Sequence, residues 1–227
     1  KDRGVRDRIV LITKGGLKMG EGLEGLSPAY LPRAVEASLR RLQTDYIDVY
    51  FSHKADAETP IGETLECYEK LINAGKIRHI GASNYSADEL GEALTASAAY
   101  SVFQPHYNLA TRDEYEGRPE DLCVRHSLGV ITYFSLAAGF LTGKYRSKEA
   151  LEGRARGFSA GTYFNERGMQ LLAALDAVAA RHGATPAQVA LAWLMARPSV
   201  TAPIASATSL AQLSDIMKSV ELSLTPE

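Results

Sequence analysis

Two basic side chains stand where runs of apolar residues end, and they are the first candidates for chemistry. Lys14 follows the run Ile9–Ile12 and Thr13, which places an ammonium group at the rim of a buried strand. His53 follows a second run, and the alternation of side chains along a strand puts it on the same face as Phe51. Taken singly, Lys14 could be a solvated strand-end lysine and His53 a structural histidine. Both residue types also serve acid–base catalysis, and their occurrence at neighbouring strand ends indicates one shared cavity.

Amide, hydroxyl and aromatic groups follow three further runs of the same kind. Ser83, Asn84 and Gln104 carry donors and acceptors that suit a planar carboxamide. Turn formation is the alternative for Ser83 and Asn84, but it explains Gln104 poorly. Tyr133 offers a flat aromatic face to a ligand, or it is an ordinary aromatic residue of the core or its rim. The set as a whole predicts a binding pocket at the strand ends.

The segments that must position these residues predict the fold. Short β-branched runs alternate with longer segments of helical period, which is typical of βαβ units and a parallel sheet. A GxGxxG motif after the first strand would indicate a doubly wound dinucleotide fold, and none is present there. We therefore predict an α/β TIM barrel, in which the active site lies at the carboxyl ends of the strands. The strands are predicted at Ile9–Thr13, Tyr46–Phe51, Ile77–Ala82, Ser101–Gln104, Val130–Phe134 and Val200–Ile204.

The (β/α)8 barrel has eight strands, and only about six are predicted here. We expect residues 1–227 to form a single barrel domain that lacks its N-terminal units. Without those units, two strand edges would be unpaired and part of the core exposed, so we expect residues 1–227 alone to be poorly soluble or inactive.

Caps mark the boundaries of several predicted helices. One helix begins at Leu31, and another covers Ile61–Asn73 behind a Thr59 cap and a proline, Pro60, at its first position. Gly75 is expected to end the second of these helices. Three later helix starts have the pattern of a capping box, namely Ser86 with Glu89, Thr185 with Gln188, and Ser209 with Gln212.

One connection, from about Lys144 to Glu166, has little periodicity and much glycine, arginine and serine. Loops of this length in compact domains are usually lids or binding loops. A disordered surface insertion is the alternative interpretation.

Composition excludes several classes of partner. The 227 residues are 45% hydrophobic and 23% charged with a net charge of -2, so neither nucleic acid nor a membrane surface is an expected partner. No run of about 20 apolar residues and no signal peptide is found, so we expect a cytoplasmic location. Cys67 and Cys123 are far apart and outside any CxxC pair, which predicts core residues and no metal site. Oligomeric state is left open.

Strings of residues throughout the chain resemble the aldo-keto reductases. The most specific string is Gly75–Asn84 (GKIRHIGASN), preceded by Ser38–Leu42 (SLRRL) and Asp45–Asp48 (DYID). The resemblance implies a TIM barrel that reduces an aldehyde or ketone to an alcohol with hydride from NADPH, or alternatively NADH. Further matching strings are Ile12–Lys14, Gln104–Asn108 (QPHYN) and Gly139–Tyr145 (GFLTGKY).

By this resemblance, Lys14 and His53 are two members of a catalytic tetrad. The charge of Lys14 would lower the pKa of a proton-donating tyrosine, and an aspartate would in turn hold Lys14. His53 would orient and polarise the substrate carbonyl. The tetrad tyrosine and aspartate normally precede the segment that matches Ile9–Lys14, and neither is identified here. Tyr50 is close to His53 in sequence, but alternation turns it to the opposite face.

By the same resemblance, the other candidate residues would contact different parts of a nicotinamide nucleotide. Its carboxamide would be held by Ser83, Asn84 and Gln104, and its ring would stack on Tyr133. The segment that passes over the pyrophosphate contains Leu136, Gly139 and Lys144. The helix N-terminus that favours the 2′-phosphate anion, and the adenine site beside it, would include Ser206, Thr208, Gln212 and Asp215.

Departures from the family pattern leave two questions open. The usual Tyr-Ser-Pro-Leu is here Tyr133–Leu136 (YFSL), and Ser206 replaces a usual glycine. An arginine often found near Gln212 is lacking, which leaves NADPH and NADH as alternatives. A non-catalytic nucleotide-binding module of the same fold, such as a potassium-channel β subunit, is the alternative to an enzyme with a small carbonyl substrate.

Overall fold

The computed structural model describes residues 4–97, 99–154 and 156–225. The chain divides into two compact units, Lys1–Gln104 with Arg118–Gly129, and Pro105–Gly117 with Val130–Glu227. One or more helices separate successive strands along the chain, and every strand pair described below is parallel. This confirms the α/β class. The expectation of one barrel domain over residues 1–227 stays a prediction.

The first unit is a parallel four-stranded sheet with helices between its strands. Its strands pair in sequence order, with Lys14 opposite Phe51 and Ser83 opposite Gln104. Every residue of the second strand is buried, as expected for a strand covered on both faces. The elements are β1 (Ile12–Gly15), α1 (Leu31–Leu42), β2 (Ile47–Ser52), α2 (Ile61–Asn73), β3 (Ile77–Ser83), α3 (Ala87–Ala96), β4 (Tyr100–Gln104) and α4 (Arg118–Arg125).

The first strand begins three residues later than the sequence predicts. Ile9 and Val10 were expected to pair as strand residues, but they are 49% and 70% exposed. Pairing with β2 starts where the carbonyl of Leu11 accepts the N–H of Val49 at 3.2 Å. Lys14 therefore lies within β1 rather than just beyond it, and its backbone position is fixed by the sheet.

The predicted start of α2 is correct in position but not in its capping. Pro60 is the N-cap residue, so it does not occupy the first helical position. The hydroxyl of Thr59 donates to the Asp56 carboxylate at 2.8 Å and caps no helical N–H. Gly75 follows the helix with a φ of 70°, which confirms it as the residue that ends α2.

The described residues of the second unit form a pair of parallel strands and four α-helices. Its core forms where α6 and α7 pack against the segment that follows β5. The elements are β5 (Gly129–Thr132), α5 (Gly157–Gly161), α6 (Glu166–His182), α7 (Pro186–Met195), β6 (Ala202–Pro203) and α8 (Leu210–Met217). The buried core residues are Ala137, Phe140, Leu141, Leu172, Leu175, Ala179, Val189 and Ala190.

Two of the three predicted capping boxes are complete. Those at Ser86 and Thr185 show both reciprocal hydrogen bonds. At the start of α8, Ser209 accepts the N–H of Gln212, but the Gln212 side chain accepts from Thr208 instead of returning to Ser209. That box is therefore half formed.

The long connection before α6 packs onto the second unit. Leu151 and Ala160 are buried and form a small cluster with Ala138. Arg146 makes a two-bond ion pair with Asp176 of α6, at 2.7 and 2.8 Å. These contacts argue against a disordered insertion, and the role of the connection as a lid or binding loop stays a prediction.

Both cysteines are buried and free, which confirms their prediction as core residues. In the described part of the chain, no helix is long and apolar enough to cross a membrane. Within residues 4–97, 99–154 and 156–225, no three metal-binding side chains are grouped as a metal site requires.

Candidate active site

Lys14 and His53 lie together at the carboxyl edge of the first unit. The Nζ atom of Lys14 is 5.9 Å from the centre of the Phe51 ring, the residue opposite it in β2. The N–H of His53 donates to the carbonyl of Gly15 at 2.9 Å, so the residues that follow the two strands are tied to each other. Both side chains are half-buried. The structure thus brings the predicted catalytic pair into one place.

The electrostatic environment of this pair favours a neutral imidazole beside a cation. Burial lowers the pKa of Lys14, and no carboxylate in the described chain opposes that effect. Burial, and secondarily the charge of Lys14, lower the pKa of His53. At neutral pH the imidazole is therefore uncharged and able to donate one N–H hydrogen bond to a ligand oxygen.

Tyr50 faces away from the pair, as the alternation of side chains predicts. Its ring centre is 6.4 Å from that of Tyr68 in α2. Burial raises the pKa of Tyr50 to about 12, while the nearby Ser38 hydroxyl of α1 acts in the opposite direction. The hydroxyl also occupies the space that a Cβ on Gly15 would need. Tyr50 is therefore a core residue on the helix side of the sheet.

Ser83 and Asn84 make hydrogen bonds to the neighbouring strand ends. The hydroxyl of Ser83 donates to the carbonyl of Gln104 at 3.1 Å. The Nδ2 atom of Asn84 donates to the carbonyl of His53 at 2.8 Å, and Asn84 has a φ of 55°, which asparagine tolerates. These contacts support the turn interpretation, and they also hold Asn84 beside His53. A contact of either side chain with a cofactor stays a prediction.

Gln104 differs from both, because its side-chain amide is buried without a partner. The residue is 1% exposed, and neither Oε1 nor Nε2 makes a hydrogen bond within the described residues. A buried polar group left unpaired costs about 1–3 kcal/mol. A ligand carboxamide presents the complementary acceptor and donor, and it would satisfy both atoms of Gln104. This orphaned amide fits the predicted role.

Tyr133 lies just beyond β5 in the second unit and is half-buried. Its N–H donates to the carbonyl of Pro105 at 3.0 Å, which aligns it with His106. The imidazole of His106 stacks on the Tyr133 ring, with 5.2 Å between the ring centres and 20° between the planes. Burial raises the pKa of Tyr133, so its phenol is neutral at physiological pH. The ring is thus supported on one face by a second flat ring.

The backbone that follows Tyr133 is strained. Left-handed φ angles cost a residue with a Cβ on the order of 1 kcal/mol each and are concentrated at ligand clamps. Asn108 helps to hold this conformation, because its Nδ2 donates to the carbonyl of Phe134 at 3.0 Å. The strain falls on the segment predicted to pass over a pyrophosphate. Its residues with positive φ are Phe134 (52°), Ala137 (47°), Ala138 (56°) and Gly139 (98°).

The three predicted pyrophosphate residues do not share one environment. Gly139 and Lys144 are neighbours, because a Cβ on Gly139 would lie 3.7 Å from Cε of Lys144. Lys144 is exposed, with Nζ 4.8 Å from the centre of the Tyr145 ring. Leu136 instead packs against the core of the second unit. Gly139 and Lys144 remain candidates for an anion, and Leu136 contributes to packing.

The predicted adenosine residues are also divided. Ser206, Thr208 and Gln212 are exposed at the start of α8. Asp215 points to α7 instead, where its carboxylate accepts from Nε2 of Gln188 at 2.7 Å. Thr185 adds a weaker contact to the same carboxylate at 3.3 Å. The structure therefore gives Asp215 an anchoring contact between α8 and α7, and its contact with a cofactor stays a prediction.

Sequence reasoning did not single out the side chains that support Tyr133. His106 and Asn108 belong to the string Gln104–Asn108, and Tyr163 lies in the long connection. Their contacts with each other join residues up to 57 positions apart. The QPHYN string was the available signal, because it places two aromatic rings and an amide directly after a strand that ends in Gln104.

Comparison with known proteins adds three relatives and a family profile. The profile of the Aldo/keto reductase family matches residues 1–227. A "Probable voltage-gated potassium channel subunit beta" from Arabidopsis thaliana is 35% identical over 232 residues, which cover 96% of this chain and 70% of the relative. A protein of the same name from Oryza sativa subsp. japonica is 33% identical over 239 residues, 98% of this chain and 72% of its own length. A "Putative voltage-gated potassium channel subunit beta" from Schizosaccharomyces pombe is 32% identical over 243 residues, which cover 98% of this chain and 69% of the relative.

Proposed function

Because this chain belongs to the aldo/keto reductase family, we propose that its protein reduces an aldehyde or ketone to an alcohol with NADPH. Family membership confirms the predicted TIM-barrel fold class. The reaction, the choice of NADPH with NADH as the alternative, a cytoplasmic location and a small carbonyl substrate are parts of the proposal.

The observation that carries the proposal is the unpartnered amide of Gln104. Its Oε1 and Nε2 are buried, and hydrogen-bond partners are lacking throughout the described residues. Natural proteins rarely leave both ends of a buried amide unsatisfied without a ligand or water to complete them. The amide therefore supports a carboxamide ligand, which the nicotinamide nucleotides carry.

When bound, NADPH would supply a hydride to the carbonyl carbon of the substrate. His53, neutral and half-buried, would donate an N–H to the carbonyl oxygen and polarise the bond. Lys14 would place its positive charge beside the proton donor and lower the pKa of that donor. Gln104 would hold the carboxamide, and Tyr133 would limit the tilt of the nicotinamide ring.

The proton donor is the element that the proposal still needs. The resemblance assigns it to a tyrosine, and Tyr50 faces the helices instead of His53. The cheapest test is to read roughly 60 to 80 codons on the 5′ side of the codon for Lys1, about two barrel units. An aspartate followed a few residues later by a tyrosine supports the enzyme. Other residues in those positions support a protein that only binds the nucleotide.

The second candidate is a non-catalytic nucleotide-binding protein, and the names of the three relatives favour it. Titration of the full-length protein with NADPH, followed by assays with a panel of aldehydes, separates the two candidates. Tight binding without turnover on any aldehyde would support the second and overturn the first.

A further inference from the structure

His106 is held by hydrogen bonds on both of its ring nitrogens. Nδ1 lies 3.1 Å from Oε1 of Glu114, and Nε2 lies 3.2 Å from the hydroxyl of Tyr163. The Nδ2 atom of Asn108 is a third contact, 3.4 Å from Nε2. The ring therefore cannot turn about its χ angles without losing contacts at both edges.

The surroundings of Asn108 decide which nitrogen of His106 carries the hydrogen. Oδ1 of Asn108 accepts the N–H groups of Ala110 and Thr111, at 2.9 and 3.0 Å, so the amide orientation is fixed. Its Nδ2 can only donate, and Nε2 of His106 must then accept. The hydrogen therefore stands on Nδ1 and points to Glu114. The result is a flat imidazole of defined tautomer whose face covers Tyr133.

The same hydrogen bonds connect the stacked rings to the long connection. Tyr163 lies near the end of that segment, between α5 and α6, and its ring also stacks on Phe140 at 5.7 Å. Its hydroxyl contacts both His106 and Thr111. Tyr163 therefore holds one edge of the His106 ring, and the His106 ring covers one face of Tyr133.

We propose that His106 is the positioning residue for Tyr133, and that Tyr163 of the long connection holds His106 in this orientation. The inference rests on the proposed function, in which Tyr133 stacks on the nicotinamide ring. His106 does not touch the reacting atoms in this account. It acts through the orientation of Tyr133, and so on the affinity and residence time of the nucleotide.

Two substitutions separate the ring of His106 from its hydrogen bonds. His106→Phe keeps a flat ring and loses the contacts with Glu114 and Tyr163, whereas His106→Gln keeps polar atoms and loses the ring. Loss of one aromatic contact corresponds to about a threefold to tenfold change in binding affinity. We expect His106→Gln to weaken NADPH binding by that factor and His106→Phe to stay within about twofold of the wild type. His126→Leu, at an exposed histidine, is the matched control and should leave affinity unchanged.

Thermal melts of the same variants test whether the role is only structural. Stability should follow the hydrogen bonds, so His106→Phe should melt lower than His106→Gln, the reverse of the order in affinity. Tyr163→Phe, which removes one hydroxyl and leaves the ring stack in place, should likewise lower the melting temperature while NADPH affinity stays within about twofold of the wild type.

Nucleotide affinity also distinguishes this inference from the proposed function. If the full-length wild type binds no NADPH, both fail. If it binds NADPH and the affinity order of the two His106 variants equals their stability order, only the positioning role is overturned. If it binds NADPH without reducing any aldehyde, the predicted affinity order still supports the positioning role.

Discussion

At the scale of single residues, two buried glutamines have opposite environments. Gln104 makes no side-chain hydrogen bond to the described residues, whereas Gln188 bonds to Asp215 and Thr185. Burial is similar, at 1% and 6% exposure, so hydrogen bonding is the difference between them. The first side chain is suited to a ligand and the second to the fold.

Replacing Gln104 with leucine should therefore affect NADPH binding, whereas replacing Gln188 with leucine should affect stability. Gln104→Leu should leave the free energy of unfolding unchanged or raise it by about 1 kcal/mol, because it removes unsatisfied polar atoms. The same change should weaken NADPH binding by about tenfold or more. Gln188→Leu should lower the free energy of unfolding by about 1–3 kcal/mol. Urea unfolding measures the free energy of unfolding, and NADPH titration measures the affinity. A large loss of stability in Gln104→Leu would contradict the assignment of Gln104 to a ligand.

The coupling of Lys14 to His53 is a second property of single residues. Burial is the larger cause of the lowered His53 pKa, and the Lys14 charge is the other. Lys14→Met should therefore raise the pKa of His53 part of the way to 6.5. Proton NMR of the imidazole over a pH series measures the pKa of His53. Lys54→Met, which removes the lysine that follows His53 in the sequence, is the control. An unchanged His53 pKa in Lys14→Met would show that the two groups do not interact.

The placement of a side chain could be predicted where the residue lies in a strand or directly after one, because side chains alternate between the two faces. Lys14, His53 and Tyr50 all lie on the faces that the pattern predicts. The contacts of Asp215 and His106 could not be predicted, because their partners are distant in sequence. Chain topology, and not local pattern, determines such contacts.

At the scale of elements, Asp48 joins three segments of the first unit. Its carboxylate accepts the N–H of Leu11 at 2.9 Å and pairs with Arg6 at 2.8 Å and Arg78 at 3.0 Å. Both guanidinium groups also lie 3.9 Å from the centre of the Tyr46 ring. Asp48 is thus the point at which β1, β2 and β3 are held at their amino ends.

Asp48→Asn should lower the free energy of unfolding by about 2–4 kcal/mol, because it leaves two arginines without their shared anion. Asp45→Asn, an exposed neighbour, should change it by less than about 0.5 kcal/mol. Urea unfolding of the three proteins at pH 7 measures the difference.

The same comparison has a defined pH dependence. Burial alone would raise the pKa of Asp48, but the Leu11 N–H, Arg6 and Arg78 outweigh it and hold the pKa below 3.8. A carboxylate whose pKa is lower in the folded state stabilises the fold at pH values above its unfolded pKa. This stabilisation is lost as the pH falls through the folded pKa. The advantage of wild type over Asp48→Asn should be constant at neutral pH and shrink below pH 3.8. An advantage that grew in acid would contradict the assignment.

Helix starts followed from the sequence where a capping box marked them, as at Ser86 before α3 and Thr185 before α7. The predicted boundaries failed where pairing decides the end of a strand. Ile9 and Val10 are as apolar as strand residues, but they have no register with β2. Tyr133 extends the apolar run of β5, but Phe134 takes a left-handed φ and ends it.

At the scale of the whole molecule, each unit exposes apolar side chains that a compact protein usually covers. Helix α8 has no buried residue, although five of its eight residues are apolar. Exposed patches of this kind mark interaction surfaces or cause aggregation. These exposed residues include Ile9, Val10, Ile12 and Met19 in the first unit, and Leu210, Leu213, Met217 and Val220 in the second.

Residues 1–227, expressed as such, should therefore self-associate. Sedimentation velocity should show species larger than 24.6 kDa that grow with concentration. Leu210→Glu with Met217→Glu should reduce association, since both side chains are more than half exposed and their change disturbs no core contact. A soluble monomer with a single cooperative melt would contradict this expectation.

The central claim is that Lys14 and His53 serve carbonyl reduction beside a bound nicotinamide. The most direct measurement compares the full-length wild type with Lys14→Met for NADPH affinity and for aldehyde-dependent NADPH oxidation. We predict that Lys14→Met lowers kcat by about 100-fold or more while NADPH affinity changes by less than about threefold. An equal rate in the two proteins, or NADPH binding with no oxidation by wild type over a panel of aldehydes, would contradict the claim.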